Sequence, residues 1–118
     1  MQERGVVVKD EARRPLIREL RPNCELCDRD LPPGSAEARI CSYECTFCAA
    51  CVEHVLGNVC PNCGGGFEKR PIRPARAWRE ESGLVDDPAG TTRRHTPYTR
   101  EEIEAFADTL RDVPPDAR

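Results

Sequence analysis

The chain is poor in the material of an ordinary hydrophobic core: of its 118 residues only 38% are hydrophobic and 5% aromatic, with one Trp, two Tyr, three Phe and one Met. Such a chain buries too little apolar surface to offset a backbone entropy of about 1–2 kcal/mol per residue, and needs another staple. No segment approaches the roughly 18 apolar residues of a membrane helix, so no membrane association is expected. Met1 to Asp10 offers only Val6, Val7 and Val8 between charged residues, without the apolar centre of a signal peptide, and the chain is expected in the cytoplasm. Histidine is scarce too. His54 and His95 are the only two, and no nucleophile with a matching base is evident, so no catalytic constellation is expected.

What is abundant is cysteine, proline and charge. All eight cysteines fall between Cys24 and Cys63, spaced C-x2-C, thirteen residues, C-x3-C-x2-C-x2-C, eight residues, C-x2-C. Disulfides and iron are alternatives for such a set, but in a reducing compartment paired C-x2-C motifs more often hold zinc. Two cysteines separated by two residues reach one ion from a single tight turn, so four half-sites suit two zinc ions. Eight thiolates for two ions give closed, structural sites with no position left for a reacting water. His54, three residues after Cys51, is a possible ligand-supporting histidine or an exchange partner for Cys51.

Pairing has two solutions. A sequential arrangement joins Cys24, Cys27, Cys41 and Cys45 on one ion and leaves the rest for the other. An interleaved one puts Cys24, Cys27, Cys48 and Cys51 on one ion and Cys41, Cys45, Cys60 and Cys63 on the second. Only Thr46 and Phe47 separate the second half-site from the third, which suits a chain crossing directly between ions and favours interleaving.

The rest of the chain is read around this module. Residues 1–19 form an N-terminal arm, and 20–74 the two-zinc module. Leu31 to Ser35 is a turn-rich loop. Ala38 to Cys41 and Ser42 to Phe47 make a short hairpin, and Ala49 to Leu56 a helix stopped by Gly57-Asn58. Val6–Val8 could add an edge strand, and Leu16, Ile17 and Leu20 could cover the module. Phe67 to Arg79, with Pro71 and Pro74, is extended, and residues 75–98 are a linker. Residues 99–112 are an amphipathic helix capped by Thr99 and Glu102, with Ile103, Phe106, Ala107 and Leu110 in one stripe, and 113–118 are a tail.

Net charge alternates along these segments: +2 over residues 1–23, −4 over 24–63, +4 over 64–79 and −5 over 80–118. The acidic cysteine module should not itself sit on nucleic acid. The basic segment Lys69, Arg70, Arg73, Arg76, Trp78 and Arg79 is a candidate nucleic-acid surface, its arginines following phosphates while Trp78 stacks on a base.

The spacing, with Phe47 before the third pair, a helix after Cys51 and Pro61 inside Cys60-Pro61-Asn62-Cys63, resembles the RING-type cross-brace, Cys45 standing where most such domains have histidine. More narrowly, RPNCELCDRDLPP, EARICSYECTFCAACVEHVLGNVCPNCGG and KRPIRP, over Leu20 to Pro74, resemble the short bacterial family named domain of unknown function 1272. The resemblance implies a small metal-stabilised α+β fold of RING-like or treble-clef type, two Zn2+ and a bacterial protein. By analogy with RING domains it implies a protein partner met by Leu26, Val55 and Pro61. Ubiquitin-ligase-like activity is the one enzymatic alternative, and Gly64 stands where many such ligases carry a cation.

Overall fold

The computed structural model describes residues 19–118. The expected N-terminal arm and the Val6–Val8 and Leu16–Ile17 runs fall in 1–18, outside the described residues. The fold is α+β, with a three-stranded antiparallel sheet in the order β2-β1-β3.

Strand β1 (Ala38–Ile40) pairs with β2 (Thr46–Cys48) in the register Ala38 to Cys48, Arg39 to Phe47 and Ile40 to Thr46. The intervening turn closes through the Glu44 N–H on the Cys41 carbonyl at 3.0 Å, with Glu44 in the left-handed region at φ 68°. Strand β3 (Glu68–Lys69) adds to the other edge of β1, pairing Lys69 with Arg39 and Glu68 with Ile40. The sequence predicts an extended segment here. The backbone at Glu68–Lys69 does run extended, before the prolines begin, and this allows a ladder on an otherwise open edge.

Helix α1 (Ala49–Cys51) continues as a π-helical turn, Val52–Leu56. Both Gly57 (φ 57°) and Asn58 (φ 60°) are left-handed, and their N–H groups both reach the Val52 carbonyl, which ends the helix at the expected place. A short helix α2 (Gly83–Asp86) follows, then α3 (Arg100–Leu110) and a 3-10 turn, Pro115–Ala117. Thr99 caps α3 in a full capping box: its hydroxyl accepts the Glu102 N–H at 3.1 Å and its own N–H reaches the Glu102 carboxylate at 2.8 Å.

The core is small and sulfur-rich. Phe47 and Phe67 meet edge to face at 5.5 Å between ring centroids, beside Leu31, Leu56 and most of the cysteines. Ile103 of α3 joins the same cluster, buried to 1% exposure, so α3 docks on the module through Ile103 and Ala107. Phe106, on the same stripe, stays 39% exposed.

Residues 75–98, expected as a linker, are tied to the module. The Gly90 N–H bonds the Leu20 carbonyl at 3.0 Å, Arg93 reaches Asp28 and Asp30, and Arg94 reaches Glu19. Arg93 is drawn by two carboxylates of the acidic cysteine module, whereas Arg94 pairs with Glu19 just before it, local attractions hidden when charge is summed over long segments. Among the described residues, no helix is long and apolar enough to cross a membrane.

Candidate metal centre

Three of the four cysteine pairs sit on tight turns that direct backbone N–H groups toward sulfur, while Cys48 ends β2 and Cys51 ends α1. In the first, the Leu26 and Cys27 N–H groups lie 3.5 Å from the Cys24 sulfur, and the turn closes with the Asp28 N–H on the Cys24 carbonyl at 2.9 Å. The Tyr43 N–H is 3.3 Å from the Cys41 sulfur, and the Gly65 N–H 3.4 Å from that of Cys63. All three turns end on a left-handed residue, Asp28 (φ 68°), Glu44 (φ 68°) and Gly64 (φ 84°). N–H donors at this distance stabilise sulfur as thiolate, the form that binds metal.

The turns bring the cysteines into two groups. The sulfurs of Cys24, Cys27, Cys48 and Cys51 all lie within 4.8 Å of one another, and so do those of Cys41, Cys45 and Cys60. The first and third half-sites therefore share one group, and the second shares the other with Cys60. Cys63 is exposed, and its sulfur stands outside the second group. All eight thiols are free.

The donor set fits a tetrahedral metal. Four sulfurs about 2.3 Å from a zinc ion stand about 3.8 Å apart, and Cys27 and Cys48 are 3.7 Å apart. A disulfide would need about 2.05 Å. Electrostatics lead the same way. The Cys41 thiol is pulled down to about 3 by hydrogen bonds from Cys45 and then Cys60, while Cys60 is pushed well up by its bond to Cys41. Burial likewise pushes Cys51 up. One thiolate in such a group is solvated by its neighbours, and further ionisation needs a cation among them. The two cysteine groups can thus hold metal ions.

A buried polar network joins the two groups, and sequence reasoning missed it. Glu25, between Cys24 and Cys27, is 3% exposed. Its carboxylate accepts from the Thr46 N–H at 2.7 Å, Arg21 at 2.7 Å and the Asn62 amide at 3.3 Å. Asn62 lies between Cys60 and Cys63, and its side-chain oxygen accepts from the Thr96 hydroxyl at 2.9 Å. Thr96 also donates its N–H to the Glu25 carbonyl at 2.9 Å. Asn23, 1% exposed, bonds Asp28 and the backbone of Arg94. The available signal was a carboxylate placed inside a C-x2-C turn, where burial beside thiols demands donors.

The other expected site residues are dispersed. His54 has 71% of its side chain exposed, 3.8 Å from Glu53, and joins neither sulfur group. Leu26 and Val55 are half-buried and pack on the core, whereas Pro61, expected on a partner surface, is buried. Gly64 holds its left-handed turn beneath α3: a Cβ there would sit 3.3 Å from Leu110 and 3.5 Å from Phe106, which explains why no cation occupies the position.

Arg70, expected on the exposed basic segment, is instead 4% exposed. Its guanidinium donates to the carbonyls of Arg21, Leu31 and Pro32 at 2.9–3.2 Å, and its Nε is buried without a partner. The pairing of β3 with β1 turns Arg70 inward, so it cannot follow phosphates. Arg73 bonds the Asp87 carbonyl at 2.7 Å and lies 3.5 Å from the Asp87 carboxylate. Lys69, Arg76 and Arg79 are exposed, as is Trp78 at 71%.

Residues 17–73 match the family described as Protein of unknown function (DUF1272). An uncharacterised protein of Rhizobium meliloti (strain 1021) is 60% identical over 74 residues, which make up 63% of this chain and 81% of that protein. No solved structure matches the chain.

Proposed function

We propose that this chain, which belongs to the DUF1272 family, is a zinc-binding structural module whose metal-held surface binds a protein partner. The observation that carries the reading is the group formed by Cys24, Cys27, Cys48 and Cys51, with sulfurs within 4.8 Å of one another. In this reading Cys41, Cys45 and Cys60 hold the second ion, and Cys63 completes its shell by turning its side chain inward. The first half-site thus shares an ion with the third, which supports an interleaved, RING-like cross-brace.

Zinc here holds the fold and activates no water, since thiolates fill each shell. The ions anchor the turns, the Glu25 network locks the turns together, and α3 seals one side. What stays available to a partner is the rim of the module, with half-exposed Leu26 and Val55 on it and Pro61 supporting the last turn from within. The nucleic-acid alternative rests on exposed Trp78 between Arg76 and Arg79, without Arg70.

Metal analysis of the purified chain tests the reading, with two zinc ions per chain expected. Strong chelation should then collapse the amide dispersion of residues 24–63, because zinc affinity is folding free energy in such modules. A chain that purifies without metal, or keeps native dispersion after chelation, would refute it. For the partner, capture by the intact chain should be lost with Leu26→Ser/Val55→Ser at unchanged metal content.

A further inference from the structure

We infer that the two centres are unequal, and that Cys63 is the exchangeable ligand of the second, displaced there by a small-molecule thiol while the first centre stays closed. The inference deepens the two-zinc reading and rests on it. The first group holds four sulfurs within 4.8 Å of one another, whereas the second holds three, all on buried residues. Cys63 lies outside that group, exposed, with its sulfur accepting the Gly65 N–H at 3.4 Å.

Exposure alone does not set this difference. Cys27 is also exposed, yet its sulfur sits in the complete group, 3.7 Å from that of Cys48. Nor does the difference come from loose backbone. The Cys60 N–H bonds the Gly65 carbonyl at 2.8 Å, the Gly64 N–H bonds the Cys60 carbonyl at 2.7 Å, and Leu110 and Phe106 pack against Gly64. The turn is therefore fixed, and Cys63 joins or leaves the second group by rotating one side chain, a far smaller change than unfolding a turn.

The exchange balances without any oxidant. The incoming thiol forms a sulfur–zinc bond as its thiolate, the bond from zinc to Cys63 breaks, and the proton of the incoming thiol passes to the released Cys63 sulfur. Three buried cysteines keep the ion in place throughout. The first ion then serves the fold, and the second answers to the thiols around the protein.

The test is limited alkylation of the zinc-loaded full chain with iodoacetamide, with the modified residue found by mass spectrometry and released zinc followed by a coloured chelator. Cys63 is expected to react first, both zinc equivalents staying bound while Cys27 remains unmodified. Equal labelling of Cys27 and Cys63, or release of both ions in one phase, would overturn the inference and leave the zinc reading intact. A chain that purifies without zinc would overturn both. As a second readout, Cys63→Ser loaded with Co2+ should stay folded and gain sulfur-to-cobalt absorption when 2-mercaptoethanol is added. No gain would mean that the position does not accept an external thiolate.

Discussion

Replacing Glu25 should loosen both cysteine groups at once, although Glu25 itself is no ligand. Its carboxylate takes three hydrogen bonds, from the Thr46 N–H and Arg21 at 2.7 Å and from Asn62 at 3.3 Å. In Glu25→Ala the buried Thr46 N–H loses its partner, at about 1–3 kcal/mol. Breaking a fully buried ion pair costs about 3–5 kcal/mol. The Arg21 side chain, however, is 17% exposed and retains Glu19 at 3.3 Å, which reduces that part. The sum expected for Glu25→Ala is about 3–4 kcal/mol.

Glu25→Gln should cost less, about 1–2 kcal/mol. Its amide oxygen can still face the Thr46 N–H, but its amino group then opposes the Asn62 amino group, which Thr96 holds in that orientation. Urea unfolding of the zinc-loaded variants measures both values, and hydrogen exchange at the Thr46 amide locates the damage. If Glu25→Ala unfolds within about 0.5 kcal/mol of the parent, or the Thr46 amide stays protected, the network does not hold the module as described.

Arg70→Ala should destabilise by about 3 kcal/mol, because the carbonyls of Arg21, Leu31 and Pro32 lose their donor, and equilibrium unfolding will show it. Glu44→Gly should stabilise by about 1 kcal/mol in the same assay, since glycine adopts the left-handed turn at φ 68° without strain. Gly64→Arg should lower the melting temperature, because a Cβ at φ 84° is strained and presses on Leu110. An unchanged melting temperature would show that α3 yields easily. Thr99→Ala should cost about 1 kcal/mol through loss of the α3 cap. Arg76→Ala/Trp78→Ala/Arg79→Ala tests the nucleic-acid alternative: low-salt gel shifts with RNA or DNA should vanish in the variant if that reading holds.

Local chemistry made much of this fold legible in the sequence. The capping box of Thr99 and Glu102 and the stop at Gly57-Asn58 are rules of a few adjacent residues, and both operate as expected. Strands β1 and β2 were readable because four cysteines in eleven residues leave the chain little choice but to reverse. Strand β3 was hidden, because its partner lies some thirty residues away and its sequence, Glu68–Lys69, has no strand character. The fates of Arg70 and Arg93 were hidden for a related reason. Counting charge along the chain cannot tell an arginine that solvates carbonyls in a core from one that faces water. Glu25 shows the same limit from the acidic side, since a carboxylate within a cysteine turn reads as surface until its three donors are in place.

The pairing of cysteines on metal is the centre of this account, and cadmium substitution measures it most directly. In a chain loaded with cadmium-113, each cysteine's β-protons correlate with the nucleus its sulfur binds. The account predicts that Cys24, Cys27, Cys48 and Cys51 correlate with one cadmium resonance and Cys41, Cys45 and Cys60 with another, joined there by Cys63. Correlation of Cys24 and Cys27 with the same resonance as Cys41 and Cys45 would contradict it.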